Sequence, residues 1–157
     1  MKILGCLLVF CAMSVSGFVI AGFYTKQVRQ LEAMIRLVSS IDAQIEYCLA
    51  PLNKIFDEYV DKELNKFIGA ARASGASKAF SAFKKESFLD EADISILSTF
   101  FDELGTKSSG EEHSSCEYTL KILNSSLESK KKELPKKTKI WRSFGILIGI
   151  TLIILLL

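Results

Sequence analysis

Two long runs without a charge bracket this chain and limit its architecture before any other feature does. From Ile3 to Thr25 there are 23 consecutive uncharged residues, ILGCLLVFCAMSVSGFVIAGFYT, which extend about 34 Å as an α-helix. A hydrocarbon core is about 30 Å thick, so this run is long enough to cross one. From Ser143 to Leu157 a second run, SFGILIGITLIILLL, has 15 uncharged residues and reaches only about 22 Å. Taking in Ile140, Trp141 and Arg142 extends it to 18 residues and about 27 Å, with the Trp in the interface and the Arg stem stretched toward the headgroups. The reading is an N-terminal transmembrane helix over 1–25 and a short C-terminal transmembrane helix over 140–157, holding a helical domain over 26–139 between them.

Between the runs, Lys26 to Arg142 carries 19 basic and 18 acidic side chains in 117 residues, a density that only water solvates. The apolar ends explain a mean hydropathy of +0.27 in a chain that is 24% charged. The formal net charge of +2 is a cancellation, since Lys26 to Leu127 sums to −4 and Glu128 to Arg142 to +5. With 49% hydrophobic residues, two Pro and nine Gly, the composition excludes disordered, collagenous and strongly basic nucleic-acid-binding chains.

Positive residues crowd the inner ends of both runs. Lys26, Arg29 and Arg36 follow the first; Lys130, Lys131, Lys132, Lys136, Lys137, Lys139 and Arg142 precede the second, while the outer tails offer only Met1 and Lys2. Positive-inside counting therefore puts the middle in the cytoplasm and both termini outside. A cleaved signal peptide is the rival for the first run, with Ser14, Ser16 and Gly17 as small residues near a cleavage site. Against it, the apolar stretch continues through FVIAGFY, beyond the usual h-region of about 7–15 residues. The basic, Trp-containing stretch before the second run reads as a stop at a cytoplasmic face rather than a lipid-anchor signal.

The middle has the period of helices. Val28, Leu31, Ile35, Val38, Ile41, Ile45, Cys48, Leu52, Ile55 and Tyr59 recur at spacings of three and four, one apolar stripe on a long helix. Pro51 predicts a kink or break near Cys48 to Ala50, after which a second helix is expected through Phe56, Val60, Leu64 and Phe67. The stretch Gly69 to Phe88 has Gly and Ser at its start and Phe80, Phe83 and Phe88 toward its end, and reads as a loop near Ser74 and Gly75 followed by a short helix. Asp90 reads as an N-cap with Asp93 at the third helical position, and Ile94, Leu97, Phe100, Phe101 and Leu104 form an apolar face stopping at Gly105, a left-handed C-cap. The last helix is expected to begin near Glu111 and Glu112, to bury Cys116, Leu120, Leu123, Leu127 and Leu134, and to end or kink at Pro135. No strand-like alternation and no internal repeat occurs. The fold class is all-α: an antiparallel helical bundle in which the two long helices pair while the shorter ones cap the far end.

Residues for chemistry are few. The sole histidine, His113, is read as a solvated side chain in a polar loop beside Glu111 and Glu112. Cys6 and Cys11 fall in the first run, and Cys48 and Cys116 are 68 residues apart, so no CxxC pair exists. Buried thiols without a disulfide are expected in a reducing compartment. One His and two distant Cys do not make a zinc set by spacing. The carboxylates Asp57, Glu58, Asp61 and Glu63, and Asp102 with Glu103, read as solvated or partner-facing helix surface. Gly145 and Gly149 form a GxxxG-like pair suited to close helix approach in lipid, and the basic stretch SKKKELPKKTKIWR reads as a topology and anionic-lipid signal. No catalytic, cofactor-binding or metal-ligating residue is expected, and neither nucleic acid nor a small-molecule substrate.

In order and spacing, IEYCLAPLNKIFDE, SGASKAFSAF, EADISILSTFFDELG and TKIWRSFGILIGITLIILLL resemble the stage III sporulation protein AB family of endospore-forming bacteria, related to the type II secretion F platform domain. The resemblance covers nearly the whole chain. It departs from the family pattern at EEHSSCEYTL, where members usually carry a Gln after the Leu-Gly loop and this chain has Glu112 and His113. The resemblance implies a secretion F-like bundle and a non-enzymatic component of the channel complex joining mother cell to forespore, in the mother-cell membrane around the forespore. It implies a cytoplasmic ATPase and ring-forming membrane proteins as partners. Two readings from the residues stay open beside it: a secreted or tethered helical protein with a cleaved signal, and a small membrane enzyme using surface carboxylates or His113.

Overall fold

The computed structural model describes residues 2–47 and 52–156, with side chains at Val15, throughout 19–45 and 54–141, and at scattered positions beyond. Among the described residues the chain forms six α-helices and no strand: α1 (Lys2–Tyr47), α2 (Leu52–Glu58), α3 (Asn65–Ser74), α4 (Ala76–Phe83), α5 (Glu91–Glu103) and α6 (Ser109–Leu156). The all-α expectation holds. The chain divides into two units, one of 1–26 with 130–157 and the other of 27–129.

In the unit of 27–129, α1 supplies the spine. Leu31, Ala33, Met34, Leu37, Val38 and Ile41 are all 0% exposed. The expected stripe is present, but Ala33, Met34 and Leu37 lie off it and Ile35 is only half-buried, so this helix is covered on more than one face. At roughly 1.5–3 kcal/mol for each fully buried large side chain, these residues dominate its stability.

Around that spine the short helices meet on phenylalanines. Phe67 of α3 lies 6.4 Å from Phe56, 6.3 Å from Phe80, 5.6 Å from Phe83 and 5.2 Å from Phe101, ring centroid to ring centroid. These are offset and edge-on arrangements that aromatic quadrupoles favour. Leu123 of α6 is 0% exposed, and Cys116, Thr119 and Leu127 are buried beside it on the same helix.

Local signals set most boundaries. Gly75, at φ 86°, separates α3 from α4, a left-handed backbone that costs glycine least. Asp90 caps α5, its carboxylate accepting from the Asp93 N–H at 3.3 Å. Gly105, the expected C-cap, has φ 85° but stands one residue past an extended Leu104, with the Thr106 N–H donating to Glu103 O at 3.1 Å. That is a type II turn, which needs positive φ at its third residue.

Three boundaries differ from expectation. The helix expected to run through Phe56, Val60, Leu64 and Phe67 is broken between Glu58 and Asn65, and Val60 is 88% exposed. Asp61 explains it: its carboxylate accepts from the Glu63 N–H at 2.9 Å, a side-chain-to-backbone bond that competes with the helical ladder. The last helix starts at Ser109, earlier than Glu111, because Ser108 and Glu111 form the N3 half of a capping box: the Ser108 N–H donates to the Glu111 carboxylate at 3.1 Å and its hydroxyl at 2.8 Å. The break assigned to Cys48 through Ala50 lies outside the described residues, between the ends of α1 and α2.

In the unit of 1–26 with 130–157, the third difference concerns Pro135, which lies inside α6 rather than ending it. A proline removes one ladder bond at a cost of about 3 kcal/mol, and helical turns continue on both sides of it. Thr138 donates to Leu134 O at 2.8 Å and to Pro135 O at 3.2 Å. Here Lys137 is 5.5 Å from the ring centroid of Tyr24 and 2.7 Å from Glu133, and Ala21 is 1% exposed. Among the described residues no helix is long and apolar enough to cross a membrane. The expected spans fall on segments of α1 and α6 most of whose side chains lie outside the described residues, as do the surroundings of Gly145 and Gly149.

Replacing Leu31 or Leu123 with Asp places an uncompensated charge where nothing solvates it. Each change is expected to cost about 3–5 kcal/mol, a fall of well over about 10 °C in a domain of this size. Thermal melting followed by circular dichroism checks it, and an unchanged transition refutes the core assignment.

Candidate interaction surface

The carboxylates singled out in the sequence are separated, and several are engaged locally. Asp61 is held by Arg36, whose Nη2 donates at 2.7 Å and Nε at 3.3 Å. That bond, foremost, raises the Arg36 guanidinium above its ordinary pKa, and burial raises the nearby Tyr59 phenol. With Arg36 55% exposed, the pair contributes at most about 1 kcal/mol. Asp57 is 3.7 Å from Arg72. The Arg72 guanidinium is chiefly a cap for α2: it donates to Phe56 O at 2.8 Å, Asp57 O at 2.9 Å and Tyr59 O at 3.4 Å. A planar fork of donors satisfies the carbonyls that a helix C-terminus leaves open.

Asp102 accepts from Ser77 of α4 and from Ser98, tying α4 to α5. Glu103 pairs with Lys107 one turn on. Glu58 and Glu63 are exposed. The hydrogen bonds from Ser108 hold the Glu111 carboxyl below its ordinary pKa, and Glu112 accepts from the Gly105 N–H.

His113 corrects the sequence reading. It lies within α6 rather than in a loop, half-buried, with Nδ1 2.8 Å from Asp42 Oδ1 of α1. Cys116, one turn further along α6, is 0% exposed and feels the Asp42 carboxylate. A cysteine, a histidine and an aspartate thus meet in one place, but in an order unsuited to nucleophilic catalysis. There the histidine stands between acid and nucleophile and takes the nucleophile's proton; here the aspartate stands between. Burial first, then the charges of Asp42 and Glu112, push the Cys116 thiol up to about 12, the reverse of an activated cysteine. What this cluster does is fasten α1 to α6.

A second polar contact escaped the sequence. Asp93, expected at the third helical position after the Asp90 cap, is 1% exposed and accepts from Ser126 of α6 at 2.8 Å. Its spacing from Asp90 marks the cap, but no local pattern announces a partner 33 residues away. Among the described residues no group of three His, Cys, Asp or Glu is placed to hold a metal ion.

Open grooves mark the surface of this unit. One, about 570 Å³, lies against α3 and α4 with Gln30 of α1 among its lining residues. Another, about 470 Å³, runs between α5 and α6 and is lined by hydroxyl side chains such as Ser95, Thr99 and Tyr118 over Phe100 and Ile122. Concave apolar floors with a few polar groups suit the binding of another chain's side chains.

The high thiol pKa gives a direct test. A raised acid pKa makes the folded state retain a proton that the unfolded chain loses near 9, so the contribution of Cys116 to stability is intact below pH 9 and falls as pH rises toward 12. In a chain with Cys6, Cys11 and Cys48 replaced by Ser, Cys116 is expected to resist iodoacetamide at pH 8 until denaturant is added. Rapid alkylation of the folded chain contradicts the burial assigned to it.

Comparison with known proteins finds a family match along nearly the full length of the chain. A family model described as stage III sporulation protein AB matches residues 2–157. The curated stage III sporulation protein AB of Bacillus subtilis (strain 168) is 23% identical over 171 aligned positions, covering 100% of this chain and 99% of that protein. No solved structure matches. The chain belongs to the stage III sporulation protein AB family.

Proposed function

We propose that the chain is a non-enzymatic membrane scaffold for endospore formation, anchored by both ends and docking other proteins through its helical body. The observation that carries this reading is the composition of the two long helices. α1 contains both the buried spine Leu31–Ile41 and the uncharged run Ile3–Thr25; α6 contains both the buried Leu123 and the run Ser143–Leu156. A body whose principal helices continue into apolar segments of near-bilayer length is suited to membrane attachment at two points. The basic residues at the inner ends of both segments favour a cytoplasmic body.

The engagement of Asp42, Asp61, Asp93 and Asp102 in contacts between helices or turns supports a structural use of these carboxylates. In this reading the chain is a multi-pass component, in the mother-cell membrane, of the channel complex between mother cell and forespore. A cytoplasmic ATPase and ring-forming membrane proteins dock on its body. Deletion is expected to stop sporulation after engulfment begins, and the full chain to co-purify with those sporulation partners from detergent-solubilised membranes. Spore formation at the normal level without it, or extraction of the chain by alkaline carbonate, defeats the proposal.

The orientation has its own test. In a cysteine-free background, Ser125→Cys is expected to react with an impermeant maleimide only after the membrane is opened. Replacing the six lysines from Lys130 to Lys139 with Gln removes about 1 kcal/mol of surface attraction per residue together with the topology signal. A fraction of chains is then expected to label in intact cells.

A further inference from the structure

The groove against α3 and α4 has an aromatic and aliphatic floor, formed by Phe67, Phe83, Ala70 and Ala79, and Gln30 also lines it. Gln30 is 8% exposed. Its Oε1 accepts from the Phe88 backbone N–H at 2.7 Å. Because an N–H only donates, this bond fixes which end of the amide is oxygen, and the Nε2 end carries two donors. Among the described residues Nε2 has no acceptor. Buried donors are nearly always satisfied, so the groove calls for an apolar side chain that ends in an acceptor.

The body itself displays such a group. Its large exposed apolar side chains among the described residues are Val60, 88% exposed, and Tyr118, 67% exposed. Val60 has no acceptor in its side chain. Tyr118 has an aromatic body matched to the phenylalanine floor and a hydroxyl with no partner among the described residues. On the face of α6 that carries it, Glu111 and Lys121 are exposed seven residues before and three after. At the groove, Lys66 and Glu86 pair at 3.3 Å and are 90% and 73% exposed. Lys62 and Glu63, both exposed, line the same groove, so each surface offers charges of both signs to its counterpart.

We propose that the groove receives Tyr118 from a second copy of this chain, the phenol oxygen accepting from Gln30 Nε2. Knob and groove are different patches of one molecule, so the contact is heterologous and each copy keeps a free groove or knob at the end of a row. Such contacts repeat into rings or open rows rather than stopping at a dimer. The proposal deepens the docking role by adding a copy of the chain itself as a partner. Self-association needs no other protein, so its failure leaves the anchored scaffold standing.

The test uses the full chain in detergent micelles, with sedimentation velocity at rising protein concentration. Mass is expected to grow past the dimer for the wild type and to stay monomeric for Ala82→Trp, which fills the exposed edge of the groove. Tyr118→Phe and Gln30→Leu are each expected to weaken association about tenfold, as for one neutral hydrogen bond, and the double variant no further than either alone. Tyr118→Phe alters one exposed hydroxyl and leaves the core intact, so its result stands whether or not the other variants fold. A photoreactive benzophenone at position 118 is expected to cross-link to the α3–α4 segment of an isotope-labelled copy. A chain that stays monomeric, assemblies indifferent to Tyr118→Phe, or cross-links confined to a different protein each overturn the proposal.

Discussion

Four of the six helices are too short to persist alone. At 7, 10, 8 and 13 residues, α2 to α5 lie at or below the length at which even favourable sequences are marginal in water. What holds them is the ring cluster about Phe67, where α2, α3, α4 and α5 all contribute a phenylalanine. Each ring pair adds roughly 0.5–1.5 kcal/mol beyond its buried area, and none of the four helices can leave without opening the others' contacts. The cluster makes these four short helices, which local propensity would leave frayed, into one interdependent set.

The polar contacts then decide where those helices start and stop. Arg72 reaches from α3 to the carbonyls that end α2, and Asp61 anchors the following turn. Asp93 and Asp42 reach to α6 from α5 and α1. A carboxylate taken out of water is tolerated only when hydrogen-bonded, so each of these contacts restricts the register of the helices that make it. The Asp42 cluster shows how geometry overrides composition: cysteine, histidine and aspartate are the residues of a nucleophilic site, yet with the aspartate central and the thiol held neutral they form a fastening.

The features legible in the sequence are those whose cause is local. Gly75 and Asp90 act through their own backbone or the next turn, and the sequence places both correctly. The apolar spacing of α1 predicts its buried stripe, but not the second covered face, because Ala33, Met34 and Leu37 become core only once neighbours surround them. Val60 fits the helical period and is nevertheless expelled, since one Asp61 side-chain bond outweighs the gain from burying a valine in a continued helix. His113, Asp93 and Gln30 acquire their meaning from partners 71, 33 and 58 residues away. Spacing within one helix carries no record of such partners.

Gln30 is a buried polar side chain with only one end of its amide engaged among the described residues. Asp93 accepts from the Ser126 hydroxyl of α6, whereas Gln30 uses its oxygen on the Phe88 N–H and, at the edge of a groove, has an amide nitrogen with no acceptor among the described residues. An unsatisfied buried donor costs about 1–3 kcal/mol, a large share of the stability of a modest helical body. A leucine would remove that donor but also take from the Phe88 N–H the acceptor that Gln30 supplies. A residue that weakens the free protein and is relieved when an acceptor arrives raises the affinity for that acceptor by the same free energy, and it discriminates against apolar groups that bring none. The Gln30 amide is thus a place, among the described residues, where the fold's own hydrogen bonding is left incomplete and an arriving acceptor completes it.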